Sequence, residues 1–161
     1  MRLWHYEILK FLPKSQLWLL SQKRECDLIW KDIKEGKQTN HILINYIWNY
    51  PHCKINLAKY YMYLKEEFER RNYNFKNNSC FPDSDFDDSD YSYKMNIDRG
   101  DMPFKEHNIY YLLQCYFNLE EKFQRGQKDF SKKEFDKLFN FVDEYSGFAL
   151  TSMDYPENRR S

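Results

Sequence analysis

Glycine and cysteine are both scarce in this chain, with four of each in 161 residues. So little glycine argues against a glycine-rich barrel and favours packed helices. Cys26, Cys53, Cys80 and Cys115 form no CxxC pair, and no Cys/His cluster has zinc spacing, so no metal site and no cofactor are expected. A charged-then-apolar leader is missing, and no apolar run approaches membrane length. The expectation is therefore an intracellular, cytoplasmic protein with reduced thiols, in which the sequon Asn77-Asn78-Ser79 has no use. Net charge is missing too. The formal value is zero, which gives no global argument for nucleic acid.

The balance of charge hides a local asymmetry. Residues 14–37 are rich in Lys and Arg, whereas residues 83–90 (DSDFDDSD) are strongly acidic. The length suits one domain with a real core. The expected fold is all-α: a single compact domain, 1–150, of three to four packed helices with a flexible acidic loop over 76–101, followed by a tail over 151–161.

The first long helix is expected from Leu12 to Gly36. Pro13 suits a first helical position, where the missing N–H costs nothing, and Gly36 suits a left-handed terminus. Leu19, Cys26, Ile29 or Trp30, and Ile33 mark its buried face, while Lys23–Asp27 and Asp27–Lys31 are i,i+4 pairs on a wetter face. Residues 1–11 read as a strand-like or irregular lead-in, anchored by Leu3, Trp4 and Ile8. His5 reads as a structural histidine. Residues 42–50 could be strand or helix, and helical neighbours favour helix. From His52 to Arg71, Leu57, Tyr61, Leu64 and Phe68 make one helical stripe.

Residues 72–103 are polar and turn-rich. Asp83, Asp85 and Asp87 have the spacing of the first ligands of a calcium loop, but Asp88 stands where glycine is required and Lys94 where glutamate is. A third helix is expected over 106–125, with Ile109, Leu112 or Leu113, Tyr116 and Phe123 on one face. A fourth starts at Ser131, where Ser131–Glu134 has capping-box spacing and Phe135, Leu138, Phe139 and Val142 face inward.

Arg2 is too large a second residue for removal of the initiator methionine, so Met1 is expected to keep its place and supply the terminal α-amine. An α-amine titrates about 2.5 units below lysine, so far more of it is unprotonated at neutral pH. It can attack a sugar C1′ without the deep burial that a catalytic lysine needs. A carboxylate beside it, Glu25, could steer protons as an imine forms, and Arg2 and Arg24 could hold flanking phosphates.

The pattern MRLWH…LP..QL…Q.RE resembles the pyrimidine-dimer DNA glycosylase family, whose best-known member is a small phage enzyme acting on ultraviolet photodimers. The likeness continues through Asn40-His41, the helix ending ERRNYNF, and KEHNIYYLLQCYFNLEEKF. It departs at Gln16, where the phage enzyme has His, and at Leu28, where it has Arg. The resemblance implies a metal-free repair enzyme that binds damaged double-stranded DNA, with Met1 as nucleophile and Glu25 as the catalytic carboxylate. Arg2, Arg24, Lys14, Lys23, Lys31, Lys34 and Lys37 are then the candidate DNA contacts, and a monomer is expected. Two other readings stay open: an abasic-site lyase without dimer preference, and a helical nucleic-acid- or protein-binding module without chemistry.

Overall fold

A computed structural model describes residues 1–75, 87 and 102–153. Among these there is no strand, and the fold is all-α. The expected acidic loop over 76–101, Asp87 apart, and the end of the expected tail lie outside the described residues. No described helix is long and apolar enough to cross a membrane.

Four long helices carry the structure of the described residues. They are α1 (Gln16–Lys34), α2 (Cys53–Arg70), α3 (Ile109–Gln124) and α4 (Lys132–Tyr145). A short α5 (Ala149–Ser152) follows. Two 3-10 helices, Tyr6–Phe11 and Asn45–Asn49, occupy the segments whose type the sequence leaves ambiguous. Helix α1 packs on α2, and α3 on α4. The first 3-10 helix touches α2, α3 and α4 together, so the amino-terminal segment runs through the middle of the molecule. Its Ile8 and Leu9 are fully buried, and Phe11 stacks on Phe141 of α4 at 4.5 Å between centroids.

Helix α1 starts four residues later than Leu12. The carbonyls that an earlier start would commit to helical bonds are engaged elsewhere. Arg71 donates to the Leu12 carbonyl at 2.7 Å and to the Pro13 carbonyl at 3.0 Å, and the Tyr73 hydroxyl donates to that of Lys14. Pro13 is therefore a buried residue ahead of the helix rather than its first residue. The other end follows expectation. Gly36 has φ +67°, its N–H donates to the Ile33 carbonyl, and the Lys37 N–H reaches back to Asp32 at 2.8 Å.

The remaining caps are local too. Asn108 accepts from the N–H groups of Tyr110 and Tyr111 at the start of α3. Ser131 and Glu134 form the capping box of α4. The stripe Leu57, Tyr61, Leu64 and Phe68 is buried, as are Phe135, Leu138 and Val142. The expected tail begins too early. Thr151 donates its N–H to Asp143 Oδ1 at 2.9 Å and its hydroxyl to Oδ2, and Leu150 is fully buried, so α5 is folded back onto α4.

Candidate active site

The first five residues carry no regular structure before the 3-10 helix, so most of their backbone groups have no partner within an element. Side chains supply partners. Gln22 of α1 accepts the Trp4 N–H at 3.0 Å and donates to the Arg2 carbonyl at 3.0 Å, a two-point grip on this segment. Tyr60 of α2 donates to both the Trp4 carbonyl and Gln22 Oε1, each at 2.9 Å. Helix α3 adds the Tyr111 hydroxyl on the Leu3 carbonyl and Cys115 Sγ accepting the His5 N–H at 3.4 Å. Just before it, His107 Nδ1 accepts from Tyr6 N at 3.2 Å.

That grip places the chain terminus over the middle of α1. The Arg2 N–H donates to Glu25 Oε2 at 2.5 Å, and the Met1 amine lies 3.5 Å from His41 Nε2. Burial pushes the Glu25 carboxyl above its usual range, against the opposing pull of the Arg2 N–H, the terminal amine, His41 and the Arg2 guanidinium. The Arg2 side chain turns back along the segment, with its guanidinium 5.7 Å from the centre of the Trp4 ring. Met1 itself is 40% exposed, so the amine faces a surface that a large ligand can reach.

Beneath these groups lies a buried aromatic floor. His5 stacks on Tyr6 at 4.8 Å and on His107 at 5.5 Å, and Tyr46 pairs with His107 Nε2 at 2.9 Å. Burial lowers the His5 pKa to about 4 and holds that of His107 well below the usual histidine range, so both rings are neutral. His5 Nδ1 accepts the Glu7 N–H as the cap of the first 3-10 helix, a structural role.

The other candidate residues fall in three places. Arg24 is exposed on α1, in a solvent-facing stripe with Leu17, Ser21, Leu28 and Lys31. Leu28, where the phage enzyme has arginine, is 51% exposed there. Lys31, Lys34 and Lys37 are exposed around the end of α1, with Glu35 between them accepting from Lys37 at 2.6 Å. Lys14 is exposed at the other end, on an open groove of about 590 Å³ shared with Lys10, Arg70, Arg71 and Lys137.

Lys23 departs from the expectation of a wetter face. It is only 7% exposed, pairs with Asp27 at 2.9 Å, and sits over the rings of Tyr61 and Phe75 at 5.9 and 5.5 Å. A buried ammonium already tied to a carboxylate would lose that partner in reaching for a phosphate.

Two residues of this arrangement were not singled out by the sequence. Gln22 stands in the Q.RE motif, one turn before Glu25, and its spacing put it on the buried face where a polar side chain needs partners. His41 lies in the segment of weaker likeness, and nothing local points it at the terminus. Chemically, the arrangement offers an amine, a carboxyl with a raised pKa and an imidazole at one exposed spot. Among the described residues no group of His, Cys, Asp and Glu could hold a metal ion.

The sequence model of a family described as pyrimidine dimer DNA glycosylase matches residues 1–79. That span includes the terminal segment, Gln22, Glu25, His41 and all of α2. No curated protein and no solved structure matches the chain.

Proposed function

We propose, from the match of residues 1–79 to the model of the pyrimidine dimer DNA glycosylase family, that the protein excises pyrimidine photodimers from duplex DNA and then cuts the strand. The Met1 amine is the nucleophile. Its nitrogen bonds to C1′ as the C1′–base bond breaks and the base leaves with the bonding pair. Loss of a proton from that nitrogen and opening of the C1′–O4′ bond give an imine. Glu25 moves the protons: in its protonated form it serves O4′, and as a carboxylate it takes the C2′ proton whose loss expels the 3′ phosphate. To reach C1′ the duplex must bend and a base must leave the stack.

One observation carries this reading. The Arg2 N–H bond to Glu25 puts the Met1 α-amine beside a half-buried carboxyl whose pKa is raised, the pairing that amine attack and proton transfer both require. Arg2, Arg24, Lys31, Lys34 and Lys37 supply positive charge for flanking phosphates.

Borohydride trapping on dimer-containing and on plain abasic DNA tests it. The expected result is a covalent adduct at Met1 with both substrates, abolished by acetylating the α-amine and retained in Lys14→Ala. An adduct with abasic DNA alone would mean a lyase without dimer preference. No adduct with either would mean a binding module.

A further inference from the structure

Ile42 stands at a position that turns rarely give to such a residue. The His41 carbonyl accepts the N–H groups of Ile44 and Asn45 at 3.0 and 2.9 Å, which closes a turn with Ile42 and Leu43 at its tip. Such tips favour Gly, Pro, Asn, Asp or Ser, whose backbones or short polar side chains suit the bend. Ile42 is β-branched and apolar, and at 80% it is the most exposed large hydrophobic side chain among the described residues. The tip is also braced. Ile44 and Ile47 behind it are fully buried. The Leu43 N–H donates to His41 Nδ1 at 3.3 Å, and Trp48 Nε1 donates to the Lys37 carbonyl at 3.0 Å. A tip held in this way keeps Ile42 outward at one place.

That place adjoins the candidate site. His41 Nε2 lies 3.5 Å from the Met1 amine, and Ile42 is the next residue. A single exposed isoleucine would mean little, but others accompany it. Leu43 is exposed beside it, Met1 at the amine itself, and Leu28 one turn beyond Glu25 on α1. Cations accompany them too. Arg24 precedes Glu25, and Lys31, Lys34 and Lys37 follow toward the end of the helix. An apolar tip with positive charge around it suits duplex DNA, which carries phosphates outside and stacked bases within. Side chains such as Ile, Leu and Met are the ones that enter base steps and kink the duplex. A lipid or protein partner would call for a broad apolar patch, and a two-residue tip is too narrow for one.

We infer that Ile42, with Leu43 beside it, is a wedge: on binding it enters the base stack next to the lesion and opens room for the Met1 amine to reach C1′. It makes and breaks no bond, so it is a positioning residue. The inference rests on the DNA-repair reading for its partner, but unstacking and chemistry are measured apart.

The first measurement uses the full chain and a duplex with 2-aminopurine opposite a pyrimidine dimer. That base brightens when it leaves the stack. Wild type and Ile42→Leu should brighten it; Ile42→Ala and Ile42→Asn should not. The side chain is exposed and asparagine suits a turn, so the urea midpoints of all four should agree, which separates the effect from misfolding. The second measurement is strand cleavage. Ile42→Ala should cut dimer duplex about tenfold more slowly than wild type, because unstacking is then unaided. On single-stranded DNA with an abasic site, where no base pair has to open, borohydride should trap both at the same rate. Wild-type brightening and cleavage in Ile42→Ala and Ile42→Asn would overturn the wedge and leave the glycosylase reading intact. Equal losses on duplex and single strand would overturn it as well, since Ile42 would then serve something other than unstacking. Brightening that depends on Ile42, with no trapping in wild type, would keep the wedge and remove the glycosylase. Neither brightening nor trapping in wild type would remove both.

Discussion

The Arg2 N–H and the Glu25 carboxylate meet at 2.5 Å, joining the first peptide unit of the chain to the middle of its first long helix. Glu25→Gln keeps an acceptor for that N–H and removes the charge. A group needed only once the base is engaged should matter little for binding and greatly for chemistry. Affinity for dimer DNA should stay within about tenfold of wild type, or about 1.4 kcal/mol. Strand cleavage should fall by at least ~10²-fold. A Glu25→Gln protein that cuts at the wild-type rate would make the pair an ordinary structural contact.

Gln22 holds two backbone groups of the terminal segment, and Tyr60 joins it. Truncation in Gln22→Ala leaves the Trp4 N–H and the Arg2 carbonyl short of partners. At about 1–3 kcal/mol for each buried group left unpaired, the loss should be about 2–6 kcal/mol. Urea denaturation would read it as a lower midpoint, accompanied by weaker trapping because Met1 is no longer held. A midpoint unchanged from wild type would show that the terminal segment is fixed without Gln22.

Stability should fall as the solution is acidified from neutrality. The His5 pKa is about 4 in the folded protein against an ordinary value of 6.5, because burial penalises the charged ring. A depressed folded value means stability present above 6.5 and lost as pH falls toward 4. At 1.36 kcal/mol per unit the most His5 can contribute is about 3 kcal/mol. Glu25, raised by burial, works in the opposite sense. The comparison is therefore between wild type and His5→Asn, whose amide can still cap the 3-10 helix through Glu7. Denaturation midpoints at pH 7.5, 6 and 5 should converge as pH falls; parallel curves would remove His5 as the cause.

Salt dependence should come from the exposed lysines and not from Lys23. Each phosphate deprived of its lysine flattens the plot of log affinity against log salt by about 0.9. Lys31→Ala, Lys34→Ala and Lys37→Ala combined should flatten it by about two to three units. Lys23→Met should leave the slope alone and change only stability, since Lys23 is buried on Asp27. A flatter slope in Lys23→Met would restore it as a DNA contact.

Much of this molecule is legible locally. The Gly36 terminus, the Ser131–Glu134 capping box, the stripe from Leu57 to Phe68 and the inward face of α4 depend on residues within one or two turns of each other. The Arg24–Glu25 pair and the large second residue are equally visible in the sequence. Tertiary structure decided what depends on partners far along the chain. Helix α1 begins at Gln16 because Arg71 and Tyr73, nearly sixty residues on, engage the carbonyls before it. Lys23 is buried because Tyr61 and Phe75 pack over it, although its i,i+4 spacing to Asp27 suits a wet surface equally well. The residues that fix the terminus, Tyr60, His107, Tyr111 and Cys115, lie 56 to 110 positions from the groups they hold. His41 meets Met1 across forty residues. Periodicity and capping report which face of a helix is apolar and where it ends. They carry no information about which distant backbone group a buried polar side chain will find, and in this chain that choice positions the amine.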